Sequence, residues 1–90
     1  MTLNEDIVIG CAFRYALGRR TYVVDSVASE IERQIEDIST KTLVRLRSEI
    51  TEAIKEDRAG MQMDIERWQT CRTAINHELH KRHNEAMTIS

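Results

Sequence analysis

The chain has 90 residues, a net charge of −2 and an isoelectric point near 5.9. That is one small domain, and it is not a polycation, so broad duplex binding through a basic face is excluded and any cationic feature must be local. A domain of this size buries only roughly 60–65% of its unfolded surface, which leaves modest stability and makes self-association useful. The opening Met-Thr-Leu-Asn-Glu-Asp lacks a positive leader segment, and no apolar run is long enough to span a bilayer, so the expected compartment is the cytoplasm. Cys11 and Cys71 are then expected to be thiols that pack as small apolar core residues.

With no proline and three glycines, the sequence carries helical periodicity almost throughout. Four helices are predicted. The first covers about Asn4 to Leu17 and is stopped by Gly18 in the C′ position. Being apolar on almost every face, it is expected in the middle of the fold or in a dimer interface. The second follows Thr21, its predicted N-cap, and runs to about Ile38 on a stripe of Val24, Val27, Ile31, Ile35 and Ile38. The run Thr21–Val24 is β-branched enough to read as a short extended segment instead. The third starts at Ser39 or Thr40 and reaches about Arg58, with Leu43, Leu46, Ile50, Ala53 and Ile54 inward. The fourth is predicted from an Asp64 N-cap to about Arg82, with Ile65, Trp68, Cys71 or Arg72, Ile75 and Leu79 inward, and 83–90 as a frayed tail. The fold class is therefore all-α: one helical domain over 1–82, a bundle of about four helices that dimerises through the first, with a three-helix core and an extended arm as the competing arrangement.

The residues that look most able to hold a ligand gather where the first helix gives way to the second. Arg14 is the one charge in the apolar run Ile7–Leu17, and such a guanidinium needs a partner. Asp25, Asp64 and Glu66 are candidate internal acceptors; the alternative is an anion arriving from outside. Arg14, Arg19 or Arg20, the Thr21 hydroxyl and the free N–H groups of the second helix would together make an anion cradle, with Tyr15 and Tyr22 offering faces for a base to stack on. Trp68 is expected in the core, and Met61 and Met63 in an adaptable loop. His77, His80 and His83 follow one another at threefold spacing near the end of the last helix, but metal sites usually draw ligands from separate segments, so no metal is expected. No phosphate-binding loop, nucleophile elbow or metalloprotease motif is present, so neither enzyme activity nor a cofactor is expected.

Phe13-Arg14-Tyr15-Ala16-Leu17-Gly18-Arg19-Arg20-Thr21-Tyr22-Val23-Val24, followed by Gly60-Met61-x-Met63-Asp64-x-x-x-Trp68, resembles a family of small proteins encoded by bacteriophages and prophages. The resemblance covers under a third of the chain, and its first motif is the more specific. It implies an accessory protein acting in the cytoplasm of a host bacterium. Joined to the cradle chemistry, it suggests an anti-defence sponge that sequesters a phosphate-bearing immune signal, such as a cyclic oligonucleotide or an ADP-ribose derivative. The alternative is a protein–protein inhibitor of a host defence complex or nuclease. A lesser one is a small nucleic-acid-binding regulator, which the isoelectric point disfavours.

Overall fold

A computed structural model describes residues 5–17, 20–56 and 62–89. Among these every regular element is helical: α1 (Glu5–Ala16), α2 (Thr21–Arg33), α3 (Thr40–Lys55) and α4 (Gln62–Ile89). α4 packs on α2 and α3, and α1 closes the bundle by packing on the same two helices. Across the middle, Phe13 of α1 meets Trp68 of α4 edge to face, with centroids 5.0 Å apart at 76°, the arrangement aromatic quadrupoles favour. Both rings are fully buried.

The buried positions follow the helical stripes. On α3 they are Leu43, Leu46, Ile50 and Ala53, as the spacing predicts. On α4 they are Trp68, Cys71 and Ile75, with Ile65 and Leu79 packed at the margin; Cys71, not Arg72, occupies the inward position. α2 buries Val24, Ala28 and Ile31 and only partly covers Val27, so Ala28 belongs to a core face from which the sequence reading omitted it. Among its described side chains α1 buries one face, through Ile9, Phe13 and Ala16. Its opposite side carries Cys11, Arg14 and Tyr15 into solvent, so Cys11 is an exposed thiol and not the core residue expected.

Both ends of α2 and both ends of α4 differ from expectation. The residue that caps α2 is Arg20, with extended backbone (φ −62°, ψ 151°) and no side-chain capping bond. Its carbonyl accepts from the amides of Val23 and Val24, which makes Thr21 the first helical residue and rules out an extended Thr21–Val24. The predicted stop at Gly18 and the turn around Gly60 lie outside the described residues.

α2 ends at Arg33, not near Ile38. Ser39 must be extended (ψ 150°) to cap α3, where its hydroxyl oxygen accepts from the Thr42 amide at 3.2 Å, so the chain has to leave the helix before it. The carbonyls this frees are taken up from far away. Arg82 donates to the Ile35 and Glu36 carbonyls at 3.0 and 3.2 Å, and also to Thr40 Oγ1 and Glu78.

α4 starts at Gln62, so Asp64 is not the N-cap; it sits in the first turn with 1% exposure, where the dipole favours an acid. The helix also runs on to Ile89, beyond the Arg82 end and through the stretch expected to fray. None of the segment 62–89 contains a glycine or proline that would stop it.

Candidate functional site

The predicted cradle is only partly on view, because Gly18 and Arg19 and the side chain of Thr21 fall outside the described residues. Of the rest, Arg14 does not project from a buried face: its side chain is 65% exposed, and its Nη2 donates to Glu49 Oε1 of α3 at 3.1 Å. The partner is thus none of Asp25, Asp64 or Glu66. α1 lies against α3, which brings Glu49 within reach. Tyr15 and Tyr22 are 61% and 69% exposed, and Arg20 is exposed at the start of α2.

A groove of about 440 Å³ opens beside Arg14, lined by Phe13, Leu17, Glu49 and Glu52. Arg14 is the only one of the six predicted residues in its described lining. Among the described residues its charge balance is one cation against two carboxylates, and Glu49 Oε2 is buried with no hydrogen-bond partner among them. Lone pairs and negative charge are what an incoming phosphate avoids.

Other arginines are committed to structure. Arg67 of α4 reaches α2 with a two-pronged fork on Glu32 (2.7 and 2.8 Å) and further bonds to Asp25 at 2.9 Å and Ser29 at 3.1 Å. The hydrogen bonds to Glu32 hold its guanidinium protonated well above the usual arginine range. Arg33 pairs with Glu30 one turn back. Arg82 is absorbed by the α2–α3 turn. Cys71 lies behind this clasp, its Sγ 4.0 Å from the Ala28 carbonyl. Burial pushes its thiol up to about 12, so it is no nucleophile at neutral pH.

A different arrangement lies between α3 and α4. There a groove of about 690 Å³ is lined by Val44, Arg47, Ser48, Thr51, Glu52 and Lys55 from α3 and by Arg72 and Asn76 from α4. The two arginines cross. Arg47 Nη1 donates to Asn76 Oδ1 and Arg72 Nη1 to Thr51 Oγ1, each at 3.2 Å. Thr51 spends its own hydroxyl proton on the Arg47 carbonyl at 2.9 Å, which turns its lone pairs toward Arg72. Among the described residues neither guanidinium has a carboxylate in ion-pair range. Each is therefore oriented by a neutral oxygen while keeping its charge and most of its donors. Among the described residues the groove's lining holds three cations against the single carboxylate of Glu52.

Sequence reasoning passed over this groove. Its only trace is a reciprocal pattern, Arg47-x-x-x-Thr51 on one helix and Arg72-x-x-x-Asn76 on the other. Antiparallel packing sets each arginine against the other helix's polar residue, and that becomes visible once α3 and α4 are known to be neighbours.

His77, His80 and His83 are exposed on α4. Among the described residues no group of three or more His, Cys, Asp or Glu side chains is placed to hold a metal ion, and no helix is long and apolar enough to cross a membrane. Comparison with known protein families, with curated proteins and with solved structures returns no match.

Proposed function

We propose that this chain is a small binding protein that sequesters a phosphate-bearing nucleotide without transforming it, and that the α3–α4 groove is where the phosphate sits. The observation that carries this reading is the crossed pair Arg47 and Arg72, positioned by Asn76 and Thr51 but not neutralised. Arginine forks in such a state suit phosphate oxygens. The resemblance of Phe13–Val24 to small phage proteins supports a sponge acting in the bacterial cytoplasm, with a cyclic oligonucleotide or an ADP-ribose derivative of a host defence system as its ligand. The proposal includes a homodimer through α1: an apolar groove of about 300 Å³ lined mainly by Ile9, Ala12, Val27 and Ile31 runs along the α1–α2 seam.

Thermal-shift titration with a panel of mono-, di- and cyclic nucleotides tests it. The expected result is stabilisation by at least one member, lost in the double variant Arg47→Gln/Arg72→Gln and kept in Arg14→Gln. Stabilisation abolished by Arg14→Gln alone would return the site to the α1–α2 junction. A flat response across the panel would favour the second reading, a protein–protein inhibitor. What supports that reading is the exposed pair Tyr15 and Tyr22, together with Arg14 and Arg20, since tyrosine and arginine dominate interface hot spots.

A further inference from the structure

The two crossed bonds of the α3–α4 groove are not equivalent. A guanidinium only donates, so the atom of Asn76 that meets Arg47 must be its carbonyl oxygen, Oδ1. That fixes the amide. Its nitrogen, Nδ2, carries two N–H donors on the side away from Arg47, on a residue that is exposed and lines the groove. Thr51 offers nothing comparable. Its single hydroxyl proton goes to the Arg47 carbonyl, so toward Arg72 it is an acceptor alone. One level of the groove therefore presents a guanidinium with a neutral double donor beside it, and the other a guanidinium without one.

Charge divides the groove in the same direction. Glu52, the one carboxylate in the described lining, directly follows Thr51 on α3 and so falls at the Arg72 level. Arg47 stands five residues before it, about 7.5 Å along the helix axis, with the Ser48 hydroxyl next in the lining. Glu49, the other nearby acid of α3, turns its Oε1 to Arg14 and lines the neighbouring groove. Negative charge thus opposes an anion more at Arg72 than at Arg47. The amide of Asn76 is decisive here, because an aspartate of the same shape would pair with Arg47, cancel its charge and replace both N–H donors by lone pairs.

We infer that the phosphoryl group seats at the Arg47–Asn76 level and that Asn76 is the residue that makes the groove an anion site, its oxygen orienting Arg47 and its nitrogen donating to the ligand. This rests on the phosphate-binding reading above and locates the anion within it.

Nuclear magnetic resonance titration of the isotope-labelled full chain with ADP and with inorganic phosphate tests the inference through the side-chain N–H signals. Both probes should shift the Asn76 amide pair and Arg47 Nε–H more than Arg72 Nε–H. Asn76→Asp should weaken ADP by about tenfold or more, and Asn76→Ala, which removes the support and the donors but adds no charge, by about threefold to fivefold. Thr51→Val should cost less than about twofold. Thr70→Asp adds the same charge at an exposed position of α4 outside the described lining and should stay within about twofold of the parent chain. An Asn76 amide that stays still while Arg72 and Lys55 shift, parental affinity in Asn76→Asp, a larger loss in Thr51→Val than in Asn76→Ala, or equal losses in Thr70→Asp and Asn76→Asp would each overturn the inference while leaving phosphate binding in place. No shift at any groove residue of a folded chain would overturn both.

Discussion

Replacing Arg67 by methionine is expected to destabilise the bundle by about 2 kcal/mol. Methionine keeps an unbranched apolar stem against α2 and removes only the guanidinium. Four hydrogen bonds are lost with it, two of them in the fork to Glu32. A hydrogen bond to a charged group contributes roughly 1.5–3 kcal/mol when shielded, but the shielding here is uneven. Arg67 and Glu32 are 21% and 28% exposed and Asp25 is 64% exposed. The fork is therefore taken as one unit near the lower bound, and Asp25 and Ser29 together add only about 0.5 kcal/mol. For a domain of this size the total lowers Tm by roughly 8–16 °C.

Arg14→Met supplies the control. Its single bond to Glu49 comes from a side chain 65% exposed, and exposed pairs contribute about 0–1 kcal/mol. The assay is urea unfolding followed by far-UV circular dichroism, with the slope m checked for constancy. A loss at Arg67 no larger than that at Arg14 would refute the view that the fork clasps α4 to α2. A double-mutant cycle with Glu32→Gln should then return no coupling.

The buried thiol of Cys71 and the long reach of Arg82 give further expectations. Cys71 ordinarily titrates at 9.0 but is pushed up to about 12 by burial, so between those values the unfolded chain has released a proton that the folded chain retains. Stability should fall as pH rises above 9, by about 1.4 kcal/mol per unit at the steepest, and Cys71→Ala should flatten that part of the profile in a pH series of unfolding curves. Arg82→Gln removes the donors that hold the Ile35 and Glu36 carbonyls. It should lower stability by roughly 1–2 kcal/mol and speed hydrogen exchange across 34–39 more than in the middle of α3, whereas a uniform change would show that the turn holds itself.

The sequence made the inward faces of α3 and α4 legible because each is a local periodicity, readable from residues three and four apart. The start of α3 at Ser39 or Thr40 was legible for the same reason: the Ser39 hydroxyl accepts from the Thr42 amide, three residues on. What escaped depends on residues far along the chain. α2 stops at Arg33 in a turn whose freed carbonyls are met by Arg82, 46 and 47 residues away, and no local glycine or proline marks the break. Arg14 was expected to need a partner because the run around it reads as buried; its side chain is instead 65% exposed, and its pairing with Glu49 follows from α1 packing on α3. Asp25, one of the acids proposed for it, is taken by Arg67 instead. The groove stayed hidden because Arg47 and Arg72 look like ordinary surface arginines until the two helices are set side by side.

The place of α4 in this bundle has a consequence for how the protein is made. Its 28 residues, about 42 Å of helix, nearly match the longest dimension of the molecule, 44 Å. α2 and α3 have their principal helix neighbour in α4, and Trp68 fills the centre against Phe13. As the chain leaves the ribosome, α4 is the last of the four helices to emerge, so through most of synthesis α2 and α3 lack their principal neighbour and have only α1 to pack on. The bundle then forms in a single late step, since the closing contacts join residues some 35 to 47 positions apart. A nascent chain that stalls before Trp68 leaves an open apolar trough of the kind chaperones bind.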